Sequence, residues 1–157
     1  MQGGVAGVFN LLNPRSLNSA VYSFMGLNFL LAGFSYAAAP EQTLAAIFGT
    51  AGLNRGVDTL VWKLIGVSML TLLPAAVHTV KEAIESGRLA LPKPRNLNWL
   101  LATAGLGNIA ALYPIYASGG LAPDDQPSPI FLALIANWGA VVGASVMEIA
   151  ISWRAER

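Results

Sequence analysis

The stretch LNSAVYSFMGLNFLLAGFSYAAA, residues 17–39, decides the fold: it runs for 23 residues without a charged side chain and stops at Pro40. About 20 consecutive apolar residues are what a helix needs to cross about 30 Å of hydrocarbon. A membrane β-strand would be about half as long and would alternate strictly between apolar and polar residues. The stretch does neither, and reads as a spanning helix. Three more apolar runs follow, at about 59–80, 97–117 and 130–153.

The composition agrees with this reading. Charged residues make up 11% of the chain and apolar ones 55%, whereas a soluble domain carries about a quarter charged. The expected fold is therefore all-α: an integral-membrane four-helix bundle, with residues 1–157 forming a single membrane domain. Pro and Gly mark the breaks, in AAAPEQ, GTAGLNRG, LALPKPRN and ASGGLAPDDQPSP. Between the first two spans, PEQTLAAIF from Pro40 starts like a helix, with Pro ahead of acidic Glu41, and is expected to lie as a short amphipathic helix on the membrane surface. There is no cysteine, which excludes disulfides, thiolate nucleophiles and iron–sulfur ligation by this chain. Residues 1–16 hold one positive charge and no apolar core. They are unlike a targeting segment, so either a transit peptide has been removed or the first span serves as the insertion signal.

The sequence just before the first span recurs. NPRSLN at 13–18 is echoed by KPRNLN at 93–98, and at the same offset of eighty Asn28 matches Asn108 and Tyr36-Ala37 matches Tyr116-Ala117. LIGVSM from Leu64 is echoed by VVGASV from Val141. Two duplicated helix pairs, 14–80 and 94–157, are expected to be related by an axis along the membrane normal. In each copy the Pro ends what precedes, the Arg stays with the headgroups, and Asn18 or Asn98 is placed to cap the helix. Four spans put Arg15, Lys81, Arg88, Lys93, Arg95, Arg154 and Arg157 on one side, against Arg55 and Lys63 on the other. By the positive-inside rule both termini then face the stroma, matrix or cytoplasm.

Polar groups at membrane depth are functional candidates because each needs a partner where there is no water. They are Asn28, His78, Asn108, Asn137 and Glu148; Lys63 snorkels outward beside Trp62. The simplest role for the three asparagines is interhelical hydrogen bonding. On the fourth span Ala136, Ala140, Ala144 and Glu148 recur at spacing four beside Gly139 and Gly143, a small-residue ridge that should meet a partner helix. Glu148 is then expected to be satisfied near the membrane surface, by Arg154 or another basic group. His78, the only histidine, has Glu82 at i+4. That spacing lets the carboxylate orient the imidazole and leaves its other nitrogen for a metal, such as the magnesium of a chlorophyll.

No H-E-x-x-H, G-x-S-x-G or phosphate loop is present, so no enzyme is expected. A net charge of +1 with dispersed basic residues argues against nucleic acid.

The run MGLNFLLAGFSYAAAPEQTLAAIFG, followed by WKLIGVSML, resembles the small four-helix DoxX-like membrane proteins over about the first 70 residues. The resemblance implies a four-helix bundle and carries over no catalytic residue. The function expected is that of a non-catalytic accessory subunit of a large energy-transducing complex, with the polar-poor N-terminal arm at 1–16 held by its neighbours. A photosystem with its antenna leads a respiratory complex as host, and thylakoid leads mitochondrial inner membrane as location. Its partners would be other membrane subunits and the bilayer. Chlorophyll, carotenoid and bound lipid are the expected ligands, with His78, Asn28, Asn108, Asn137 and Glu148 as the residues to hold them. The alternative is a small homo-oligomeric transporter or lipid-binding membrane protein whose asparagines line a polar pocket.

Overall fold

A computed structural model describes residues 11–48, 55–117 and 129–155. Among them every regular element is helical: α1 (Leu17–Ala38), α2 (Pro40–Phe48), α3 (Arg55–Glu85), α4 (Pro92–Ala117) and α5 (Pro129–Ala155). Spans α1, Asp58–Glu85 of α3 and Pro129–Arg154 of α5 are long and apolar enough to cross a membrane. At 26 residues α4 is also long enough, but Lys93, Arg95, Asn96, Asn98 and Asn108 make it more polar, and it does not join that group. Residues 1–10 of the N-terminal arm, the acidic pair Asp124 and Asp125, and Arg157 lie outside the described residues.

The start of α1 corrects one expectation. Ser16, not Asn18, is the cap: its Oγ accepts from the Ser19 N–H at 3.1 Å while Ser19 Oγ accepts from the Ser16 N–H at 3.0 Å. This reciprocal arrangement satisfies two otherwise orphaned donors. Asn98 does not cap either, because α4 already starts at Pro92 and places Asn98 in its second turn. Pro92 and Pro40 each open a helix at a position whose N–H has no partner to lose. The corner between α1 and α2 is stitched by Thr43 Oγ1, which donates to the carbonyls of Ala39 and Ser35 at 2.8 and 3.1 Å. Leu44 and Ile47 turn inward while Glu41 and Gln42 stay exposed, so the expected short amphipathic helix forms.

At the end of α3 the Arg88 N–H reaches the Ala83 carbonyl and the Gly87 N–H reaches Ile84. Gly87 sits at φ +66°, as the left-handed cap of such a motif requires.

Two antiparallel pairs, α1 with α3 and α4 with α5, form the body. They pack closely because small residues sit at each crossing: Gly33 faces Gly66 backbone to backbone, and Gly105 faces Trp138 and Val142. The pairs meet mainly through α3 and α4, over a core that includes Tyr22, Phe29, Val77, Leu101, Phe131 and Val141. Arg15, Lys81, Arg88, Lys93, Arg95 and Arg154 gather at one end of the bundle, where α1 and α4 begin and α3 and α5 finish. Outside, Phe24, Leu31, Phe34, Leu60, Leu64 and Leu72 stand exposed.

Candidate functional site

Because α1 and α5 each pack more extensively against another helix than against one another, a groove opens between them, roofed by α2. It holds about 810 Å³, within the range of small-molecule sites. Its walls are mostly apolar, from Phe24, Leu31 and Ala32 on α1, Ile47 on α2, and Ile130 and Leu134 on α5. Ala136 and Ala140 line it too, and their small side chains leave the space open. The sequence leads one to expect a partner helix against these two alanines, within this bundle or on another protein; within the bundle they face the groove. Gly139 and Gly143 have nothing within 4 Å of where a Cβ would stand.

Midway along the groove Asn28 Nδ2 donates to Asn137 Oδ1 at 3.2 Å. One amide oxygen and one amide NH₂ remain without a partner among the described residues, whichever way the two amides are turned. Toward α2, Ser35, Gln42 and Thr43 add polar atoms. The groove thus has a polar mid-point, a polar mouth and apolar walls between them.

The other sequence candidates lie elsewhere. Asn108 is exposed on α4, and its Nδ2 donates to the Ala104 carbonyl at 2.8 Å, within its own helix. His78 is half-buried on α3 outside the groove. The hydrogen bond expected between His78 and Glu82 is not formed, and no group of three His, Asp or Glu side chains converges among the described residues. Glu148 is only 3% exposed, and its Oε1 has no hydrogen-bond partner among the described residues. It makes no ion pair with Arg154, so the surface-satisfied carboxylate expected from the sequence is absent.

No protein-family model, curated protein or solved structure matches the chain.

Asn28 and Asn137 make the interhelical hydrogen bond that the sequence leads one to expect; the other residues that join the helices are not evident from the sequence. Tyr22 Oη donates to Asn98 Oδ1 at 2.8 Å, and Asn98 Nδ2 donates to the Ser145 carbonyl at 3.0 Å, linking α1, α4 and α5. Tyr22 lies among apolar residues at a spacing that looks like plain core. Lys81, which reads as one more end charge, is fully buried and paired with Glu85 at 2.8 Å. Here the i, i+4 spacing is a legible signal.

Proposed function

We propose that this chain is a multi-pass membrane protein, with α4 as a fourth span, which holds an elongated apolar ligand in the groove between α1 and α5. The ligand carries a hydrogen-bonding head that engages the unused amide groups of Asn28 and Asn137. This is the lipid-binding reading of the sequence. The observation that supports it most is the Asn28–Asn137 pair lining an otherwise apolar groove. The exposed Phe34, Leu60, Leu64 and Leu72, which do not line the groove, would face hydrocarbon. Both termini would lie on the positively charged side, with α2 along the opposite surface.

Lipid and carotenoid suit an apolar groove with a polar mid-point. Chlorophyll would need an axial ligand, and His78 lies outside the groove. Asn28 or Asn137 would have to supply the oxygen instead.

Filling the space is the direct test. Ala140→Trp places an indole in the groove without touching the helix crossings, and is expected to abolish ligand copurification, read by extraction and mass spectrometry of the purified protein. Asn137→Leu is expected to reduce retention of ligands with hydrogen-bonding heads more than that of pure hydrocarbons. If the wild-type protein carries nothing, or if Ala140→Trp retains what the wild type carries, the groove is not a binding site.

A second reading is supported by the outer faces. Asn108 and Gly107 are exposed on α4, and Gly139 and Gly143 stand open on α5. Polar and small residues on an outward face suit a cover of protein better than one of lipid. This favours an accessory subunit in a larger complex. Gly143→Leu should then leave the isolated protein folded, because the position is exposed and nothing from a neighbouring helix lies within 4 Å of a Cβ there, while releasing it from its partners on a native gel. A variant that stays bound would show that this face is not the contact.

A further inference from the structure

A second polar site lies away from the groove, where α1, α4 and α5 converge. Tyr22, Asn98 and Ser145 are fully buried, and Glu148 is nearly so. The bonds from Tyr22 Oη to Asn98 Oδ1 and from Asn98 Nδ2 to the Ser145 carbonyl fix these groups in place. They leave two oxygens unused: Ser145 Oγ and Glu148 Oε1 are both buried without a partner among the described residues. The two residues are three apart on α5 and therefore share a helix face. Ser145 and Glu148 both lie beside the Tyr22 phenol.

What Glu148 lacks, among the described residues, is an ion-pair partner. From α1 the titratable group facing Glu148 is the Tyr22 phenol, and from α4 the neighbouring side chain is the uncharged amide of Asn98. Neither Arg95, one turn earlier on α4, nor Arg154 on α5 forms an ion pair with Glu148. Lys81 on α3 is paired with Glu85. A carboxylate withdrawn from water without a counter-charge is costly, and the cost is greater still in hydrocarbon. A small bound cation removes that cost.

We propose that Glu148 is an exchangeable site for a single monovalent cation, either a proton or Na⁺. Glu148 and Ser145 offer the free oxygens, and the Tyr22–Asn98 bond holds their surroundings in place. The proposal is independent of the groove, which Glu148 does not line.

The test compares the purified wild-type protein with Glu148→Gln, which is neutral at every pH. Melting temperatures are measured in choline, K⁺ or Na⁺ chloride between about pH 5 and about pH 9, a range that spans the titration of a buried carboxyl. In choline at the alkaline end the wild type is expected to melt below Glu148→Gln, and acidification should close the gap. If Na⁺ also occupies the site, replacing choline by Na⁺ closes the gap at alkaline pH, and Ser145→Ala weakens that effect. If only acid closes it, the exchangeable ion is the proton. A gap that stays constant across pH and salt would overturn the proposal. Should Glu148→Gln fail to fold, the wild type alone decides the matter through labelling by a lipid-soluble carbodiimide, which attacks protonated carboxyls. Labelling at Glu148 that falls with rising pH or added Na⁺ supports the site; absent or invariant labelling overturns it.

Discussion

Gly66→Leu is expected to separate α1 from α3 and leave the protein unfolded. A Cβ at Gly66 would stand 2.6 Å from the Ala37 backbone nitrogen and 2.9 Å from the Gly33 carbonyl oxygen. Both obstacles are main chain, so no rotamer change relieves the clash and the helices must move apart. Forcing extra volume into a packed core costs about 1 to 3 kcal/mol where side chains can adjust, and a backbone contact should exceed that. The crossing also anchors much of the core, since Tyr36 and Met69 pack around it. The same change at Gly107, where nothing lies within 4 Å of the would-be Cβ, provides the control. Thermal melts of the two variants should differ sharply. If Gly66→Leu melts like Gly107→Leu, the close crossing of α1 and α3 is wrong.

The second large effect is expected at the basic end. Glu85 Oε1 accepts from Lys81 Nζ at 2.8 Å and from the Arg15 backbone N–H at 3.0 Å, while Lys81 Nζ reaches the Asn13 carbonyl at 3.4 Å. Lys81 is 0% exposed. Glu85→Ala removes the carboxylate that balances this ammonium and also the bond that ties the segment before α1 to the end of α3. Losing one partner of a buried pair costs on the order of 3 kcal/mol, because the other charge is left behind. The double variant Lys81→Met with Glu85→Leu removes both charges and should recover much of that loss, since apolar replacements of a buried pair are often neutral. The check is a melting series of the single and double variants. A double variant no better than Glu85→Ala would mean that the charge itself is not what destabilises.

Several local features are legible in the linear chain. The opening 23-residue apolar run, Pro40 with Glu41, and the proline-rich breaks give α1, α2 and the starts of α4 and α5 within a few residues, because chain length, proline chemistry and side-chain polarity act locally. Asn28 and Asn137 stand out as polar residues within apolar runs, yet nothing in the spacing says that they meet, being 109 residues apart. The capping expectation fails at both copies of Pro-Arg-x-Leu-Asn. In the first, Ser16 and Ser19 form a reciprocal pair that outcompetes Asn18; in the second, α4 begins six residues before Asn98. The alanine ridge on α5 marks a surface that permits close approach. Which neighbour approaches depends on how the two helix pairs are set against each other.

The sequence by itself determined the helical class, the order of the helices and the gathering of basic residues at one end of the bundle, since each of these follows from local polarity; α3 and α4 run several residues beyond their apolar stretches. Only the tertiary structure decided which polar groups find partners. Asn28 meets Asn137 and Tyr22 meets Asn98 because the α1–α3 and α4–α5 pairs join mainly through α3 and α4, and α1 and α5 touch only locally beside the groove. The same arrangement opens the groove and buries Glu148 without an ion pair to Arg154, the partner that its place in the chain suggests.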